Sequence, residues 1–296
     1  MLHLNPTPEH AWFDFTLASL EAVWPQLHSI DGEPFPSVDR VSRSLKETGS
    51  ASNSTGDPIK SEQTTEALTT QLQHAWLAFH QGRFDEAYQL GCSLGPLGSY
   101  VAHLAVNVYG VAFVAEENRA AFFQQAITEL EREFPNLPQE ANFHYVHALH
   151  LGRYSESIST AKAVSGGSLM AFKRSVEHCL VLEPGHIPSK LAYAALMAEA
   201  IGAVGEFAAK LTFGATKQKV LACYEETLAL NNPPPVVYLE FAKGLILLDK
   251  KKQRERIVNL LRQALEAPVL DALDRIDLQI MRPLFTEYNV KLEAHK

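Results

Sequence analysis

Two stretches of this 296-residue chain share one pattern, and they decide the predicted fold. The first reads AWLAFHQGRFDEA at residues 75–87, and the second reads HYVHALHLGRYSES at residues 144–157. In each, apolar residues at helical spacing precede Gly-Arg-aromatic, and the two glycines are Gly82 and Gly152, 70 positions apart. Because 70 residues correspond to two units of about 35, the chain is predicted to repeat a helical hairpin.

The chain has a helical pattern throughout from residue 66 to its end. We find neither period-2 alternation nor a hairpin signal, so no sheet is predicted. A second signature closes later units, as LVLEP at 180–184 and LALNN at 228–232. The predicted fold class is therefore all-α. The predicted breaks between helices are Gly82, Gly95-Pro96, Pro135 to Pro138, Gly152, Gly166-Gly167, Pro184-Gly185, Gly214 and Pro233 to Pro235.

These residues resemble the tetratricopeptide repeat (TPR) family, in which two antiparallel helices form a unit of about 34 residues. The resemblance covers roughly residues 66–290. It implies a TPR-like α-solenoid, a right-handed superhelix of antiparallel helix hairpins that bury one another's apolar faces. It also implies that each Gly-aromatic step lies at the turn between two helices. The Gly166-Gly167 break stands where a regular first helix is expected, so the stack is predicted to be irregular in its middle.

The stretch 199–216 is longer than a regular repeat needs. The LVLEP and LALNN endings are 48 residues apart, about 14 more than one unit. With an inserted helical turn there, residues 196–235 resemble two divergent branches of the superfamily. One is the T component associated with tripartite periplasmic (TRAP) transporters, and the other is the regulator of microtubule dynamics family. Members of the first branch are exported, and the N-terminus here does not read as an export leader, so that role is not transferred.

Composition limits the class of function. The chain is 46% apolar, has a formal net charge of −8 and a pI near 5.8. This balance excludes a broadly basic face, so we expect neither nucleic acid nor an anionic membrane as a partner. No apolar run approaches about 18 residues, so no membrane span is expected. Three cysteines without metal or disulfide spacing suit a reducing compartment, and we expect a cytoplasmic protein without a cofactor.

The N-terminal part is predicted to be separate from the repeats. Residues 1–36 contain an aromatic-rich amphipathic helix, predicted to be capped by Thr7 and ended by Pro25. Residues 37–65 carry little apolar material and are predicted to be a flexible linker, which leaves 66–296 as the repeat domain. The N-terminal helix either caps the apolar end of the stack, which we favour, or occupies a groove of its own chain or a neighbouring one.

The concave groove of the predicted solenoid supplies the candidate binding residues. Alignment on the two Gly-Arg steps and on the two unit endings places them on the first helices of successive units. Family members that grip a C-terminal carboxylate use Lys, Asn and Arg at fixed groove positions, and most of that clamp is missing here. A mostly apolar groove favours a helix or an extended apolar peptide. The candidates are Trp76, Phe79, His80, Asn142, Val146, His150, Glu199 and Lys243.

No catalytic or metal motif accompanies this groove. His144, His147 and His150 cannot converge on one metal ion, because residue 150 lies about 240° around the helix from residue 144. Neither a phosphate-binding loop nor a nucleophile elbow is found. The basic run from Lys250 to Arg256 is interpreted as an exposed turn between helices.

The prediction is therefore a non-catalytic scaffold for protein–protein interaction that binds a peptide or helix, with the oligomeric state open. The alternative is a small-molecule-binding, transport-associated helical protein with a pocket near 199–216, beside Tyr193 and Tyr224. A deep pocket with convergent polar groups favours the alternative, and a shallow groove favours the scaffold.

Overall fold

The computed structural model describes residues 2–7, 12–51 (backbone alone over 47–51), 64–134, 139–159, 162–163 and 166–291. Over these residues the chain forms fifteen α-helices, one 3₁₀ turn at Gly95–Gly98 and no strand, which confirms the all-α class. The helices are α1 Leu17–Leu27, α2 Val38–Ala51, α3 Thr65–Gln81, α4 Phe84–Ser93, α5 Ser99–Ala112, α6 Glu116–Glu133, α7 Ala141–Glu156, α8 Ser168–Leu182, α9 Ile187–Val204, α10 Glu206–Phe213, α11 Lys217–Leu228, α12 Pro235–Asp249, α13 Arg254–Glu266, α14 Ala272–Ile280 and α15 Arg282–Glu287.

The helices group into two compact units, residues 1–172 and 173–296. Each unit has its own core of large buried side chains, as expected where short amphipathic helices bury one stripe each. In the first unit these side chains are Trp76, Phe79, Phe84, Phe123 and Leu130, and in the second they are Met197, Tyr224, Leu239, Phe241, Leu245 and Phe285.

The first Gly-Arg-aromatic step makes the predicted turn. Helix α3 begins after Thr64, whose hydroxyl oxygen accepts the N–H of Ala67 at 3.2 Å. It ends at Gly82, which has the left-handed φ of 90° that favours glycine. The aromatic residue of the step, Phe84, then opens α4 and is fully buried.

The second Gly-Arg-aromatic step does not make a turn, so the predicted break at Gly152 is wrong. Helix α7 continues through Gly152 to Glu156. A Cβ at Gly152 would lie 3.4 Å from the ring of Phe172, so the glycine serves close side-chain packing and not chain reversal.

The N-terminal helix is shorter than predicted and starts later. Helix α1 is capped by Thr16, whose hydroxyl accepts the N–H of Ser19 while the Ser19 hydroxyl accepts the N–H of Thr16. Pro25 lies inside its last turn instead of ending it. Thr7, the predicted cap, instead donates its hydroxyl to Asp85 at 2.5 Å. Residues 8–11, where the predicted helix would begin, lie outside the described residues.

Part of the predicted linker is helical. Helix α2 occupies 38–51, and the Ser37 hydroxyl accepts the N–H of Arg40 at its start. Val38, Val41 and Leu45 recur at helical spacing, and Val41 is fully buried. The low average apolar content of 37–65 hid this stripe, because a short helix needs only a few well-spaced apolar residues to pack. The remainder, 52–63, lies outside the described residues.

The extra length at 199–216 forms a short additional helix, α10. Gly205, with φ of 80°, separates it from α9, and Gly214, with φ of 70°, ends it. Thr216 then caps α11. Among the described helices α9 alone has the length and apolar content of a membrane span, but half of it is buried, and core helices of globular proteins satisfy the same criterion.

Candidate functional site

Residues 12–36, which we call the N-terminal strap, run back along α3. The backbone N–H of Trp12 donates to the carbonyl oxygen of Gln81 at 2.9 Å, and the Gln81 amide donates to the carbonyl of Phe15 at 2.8 Å. At the other end, the Gln73 amide donates to the carbonyl of Pro36 at 2.8 Å. Two glutamines of one helix therefore hold both ends of the strap.

Trp24 is the apolar anchor of the strap. Its side chain is 4% exposed and lies edge-on against the rings of Trp76 and His80, at centroid distances of 5.4 and 5.6 Å. It also stacks on His28 at 4.0 Å. The indole N–H donates to the carbonyl of Glu33 at 2.7 Å, so its polar atom is satisfied inside the contact.

Asp31 lies at the centre of a buried polar network. Its carboxylate is 3.0 Å from Nδ1 of His28 and accepts the hydroxyl of Tyr100 at 2.9 Å. Burial alone would raise the pKa of Asp31, but attraction to His28 and hydrogen bonds from His28, Tyr100 and the Glu33 N–H lower it to about 2. Nε2 of His28 lies 3.2 Å from Nε2 of His80 on α3. The strap carboxylate is thus tied to both α3 and α5.

Glu33 makes the second acidic contact. One carboxylate oxygen accepts from Arg40 on α2 at 2.9 Å, and the other accepts the amide of Asn142 on α7 at 2.6 Å. Burial raises the pKa of Glu33, and the nearby Asp31 adds to this, while Arg40 opposes it. The two strap acids therefore bind α5 and α7 directly, and His28 joins Asp31 to α3. The sides of α3, α5 and α7 that contact the strap form what we call the strap face.

Four of the predicted groove residues lie at or under the strap. Trp76 and His80 contact it directly, and Asn142 binds Glu33. Phe79 lies beneath them, edge-on to Trp76 at 5.7 Å, and is 1% exposed. The structure brings these four residues together, and the chain itself covers them.

The other two candidates on α7 are core residues. Val146 and His150 are fully buried. Nε2 of His150 lies 3.2 Å from Nδ1 of His103, and burial, with the neighbouring His103 and His147, lowers the pKa of His150 well below 6.5. Side chains enclosed in this way support packing and offer no open binding site.

Glu199 and Lys243 belong to the second unit and are not part of the strap face. Glu199 is exposed on α9, and its charge contributes to raising the pKa of the buried Tyr224. Lys243 on α12 pairs with Glu240 at 2.9 Å. Nothing in these contacts distinguishes either residue from an ordinary surface charge.

Sequence reasoning missed the polar half of the site. Asp31, Glu33 and Arg40 were placed in the separate N-terminal segment and in the linker, and Tyr100 on α5 fell outside the aligned repeats. One signal was present: Asp-Gly-Glu-Pro at 31–34 is a turn sequence with two acids immediately after an aromatic helix. Its partners are 69 and 109 residues away along the chain, and only the fold brings them together.

Another group of side chains resembles a catalytic site without having its geometry. Ser189 lies 2.9 Å from Nδ1 of His186 and 3.0 Å from Sγ of Cys179, but all three are buried, and His186 caps α9. Burial raises the pKa of Cys179 to about 11, the opposite of what a nucleophilic thiol needs. Across the described ranges no three metal-ligating side chains come together.

A cleft among the described residues lies at helices α5 to α7, and the pocket predicted near 199–216 stays a prediction. That cleft has a volume of about 220 Å³ and lies in the first unit. It is lined by residues of α5, α6 and α7 and the segment that follows α7: Val111, Glu116, Arg119, Phe123, Arg153, Glu156, Ser157 and Ile158.

Comparison with known proteins gives no relative: no protein family, curated protein or solved structure matches the chain significantly.

Proposed function

We propose that this chain is a non-catalytic scaffold for protein–protein interaction, whose strap face binds a peptide carrying an aromatic residue followed by acids. In the unbound protein the strap occupies that face. A partner peptide with the same chemistry displaces it, so the strap is an intramolecular inhibitor and not only a cap.

The single observation that carries the proposal is the way the strap is held. Trp24 lies against Trp76 and His80, while Asp31 and Glu33 accept hydrogen bonds from Tyr100 and Asn142. An aromatic anchor combined with charge-assisted hydrogen bonds is how a peptide is recognised. An end cap needs only apolar cover.

We infer that the hairpins stack as a right-handed TPR-like superhelix and that the protein is cytoplasmic. The α3–α4 hairpin, with Gly82 at its turn and buried Phe84, is the feature that supports the repeat assignment. Such superhelices present concave surfaces to peptides, which fits a scaffold.

A labelled peptide tests the proposal on the full chain. Fluorescein-tagged peptide 12–36 is titrated into the wild type and into Trp24→Ala, with fluorescence anisotropy as the readout. In the wild type the tethered strap competes at an effective concentration of the order of mM. Trp24→Ala weakens that competitor, and we expect it to bind the tracer at least about tenfold more tightly than the wild type.

Three variants make this test specific. Glu21→Ala changes an exposed residue of α1 and should behave as the wild type. Trp24→Ala combined with Asn142→Ala should lose the gained binding, because Asn142 binds the acid of the strap. Glu33→Gln weakens the hold of the strap without removing an aromatic side chain. It replaces Trp24→Ala if circular dichroism shows that Trp24→Ala does not fold as the wild type does. Equal tracer binding by all variants would contradict the proposal.

A further inference from the structure

The tip where α9 meets α10 exposes three large apolar side chains. Val204, Phe207 and Leu211 are 56%, 81% and 74% exposed. Phe207 and Leu211 are one helical turn apart, so they project from the same face of α10. We call these three residues the apolar tip. Clustered exposure of this extent marks an interaction surface more often than scattered apolar residues do.

The apolar tip is open to solvent along most of its length. Residues 202–207 and 210–212 are exposed, and glycines with positive φ, Gly205 and Gly214, lie on either side of α10. Exposure of this extent favours insertion into another phase or surface over enclosure of a small molecule.

The segments adjacent to the apolar tip carry lysines. Lys210 is on α10, and α11 begins beside the tip, since the Lys217 N–H donates to Glu206 at 2.8 Å. The end of α12 is also adjacent, because a Cβ at Gly202 would lie 3.5 Å from the Leu247 carbonyl oxygen. We call the lysines of these segments the lysine cluster: Lys210, Lys217, Lys219, Lys250, Lys251 and Lys252.

We propose that the apolar tip and the lysine cluster form a docking surface for an anionic lipid membrane, with Phe207 and Leu211 entering the headgroup region. Segments 202–219 and 247–252 hold six lysines against two acids, Glu206 and Asp249. Apolar insertion together with lysine attraction is the combination that holds peripheral proteins at such membranes. No helix needs to span the bilayer.

The net charge of −8 does not oppose this local contact. Charges more than a Debye length away, about 8 Å at physiological salt, are largely screened, so the charge near the tip governs the encounter. The low pI excludes a broadly basic face, whereas the lysine cluster is a small basic surface. A second copy of this chain is a less suitable partner for the apolar tip. Two tips in contact would bring like charges together, and they would bury far less than the roughly 800 Å² per partner of a stable interface.

Vesicle co-sedimentation with the full chain tests the proposal. Vesicles of phosphatidylcholine with about 30% phosphatidylserine are compared with vesicles of phosphatidylcholine alone. We expect the wild type to sediment with the anionic vesicles, and to be released by about 0.5 M salt. The double variant Phe207→Ser and Leu211→Ser should lower the partition coefficient at least about tenfold. Charge reversal of Lys250, Lys251 and Lys252 to Glu should lower it by about 100-fold.

Val181→Ser is the matched control, since Val181 is 76% exposed on α8 and is not part of the tip. It should bind vesicles as the wild type does. The proposal would be overturned by no binding to anionic vesicles, by equal binding to neutral ones, by the same loss in Val181→Ser, or by self-association that Phe207→Ser and Leu211→Ser abolish. Binding to poly-glutamate in place of vesicles, dependent on the same residues, would assign the surface to an acidic protein and also overturn it.

Discussion

Gly244 on α12 lies against the ring of Tyr224 on α11, at the centre of the second unit. A Cβ at position 244 would be 2.4 Å from Cε2 of that ring, which is itself stacked on Phe241 at 4.8 Å and fully buried. The ring has no room to move, so Gly244→Ala should lower the free energy of unfolding by about 1–3 kcal/mol. Urea unfolding followed by circular dichroism measures this loss.

The control for this substitution is Gly202→Ala on α9. The nearest atom to a Cβ there is the Leu247 carbonyl oxygen at 3.5 Å, which is an ordinary contact, and position 202 is exposed. Because alanine favours a helix over glycine, Gly202→Ala should raise the free energy of unfolding by up to about 1 kcal/mol. Equal effects at the two positions would show that close packing on Tyr224 is not the cause.

A second residue of the same unit makes stability depend on pH. Burial, with the charge of Asp271 beside it, raises the pKa of Asp274 to about 8. Between about pH 4 and pH 8 the folded form therefore holds a proton that the unfolded form has released, so this carboxyl destabilises the fold increasingly as pH rises. Relative to the wild type, Asp274→Asn should therefore raise the free energy of unfolding by at least about 1 kcal/mol more at pH 8.5 than at pH 5. Urea unfolding at the two pH values measures this difference. A difference that is constant with pH would contradict this assignment.

At the scale of the element, Val41 is the apolar anchor of α2. Val41 is fully buried, whereas Val38, one turn earlier, is 41% exposed. Val41→Asp places a charge in an apolar contact, and we expect it to release α2 and to accelerate amide exchange over residues 37–46 at least about tenfold. Val38→Asp should leave exchange nearly unchanged. Loss of protection across the whole chain would mean that α2 does not open on its own.

The elements show which parts of the fold could be predicted from sequence. Helical periodicity was sufficient for the all-α class and for the turn at Gly82, because both depend on local spacing. The breaks at Gly152 and the start of α1 were misplaced. A glycine that makes room for Phe172 has the same sequence signature as one that turns the chain, and a cap at Thr16 competes with an equally good one at Thr7.

The candidate site was predictable only in part, for a related reason. Trp76, Phe79 and His80 share one helix face, so their proximity could be read from spacing. Asp31 and Glu33 find their partners only through tertiary contacts with Tyr100 and Asn142. Average composition also concealed α2, and with it Arg40.

At the scale of the whole molecule, the strap closes the first of the two units through contacts that are remote in sequence. Those contacts include a buried polar network beside the aromatic anchor, and such a network responds to conditions that leave apolar cores intact. The groups that meet there are His28, Asp31 and Glu33 of the strap, Arg40 of α2, His80 of α3, Tyr100 of α5 and Asn142 of α7.

Acid should therefore weaken the hold of the strap on the first unit. In the closed form the pKa of Asp31 is about 2 although the carboxyl is buried, because attraction to His28 and hydrogen bonds from His28 and Tyr100 stabilise its charge. A lowered pKa in the folded form adds stability that is fully present well above the ordinary pKa of 3.8 and is lost as pH falls toward 2. We expect Asp31→Asn to lower the free energy of unfolding relative to the wild type at pH 6, and this difference should shrink by about 1 kcal/mol at pH 3, measured by urea unfolding. The same difference at both pH values would assign the acid response of the strap to other groups.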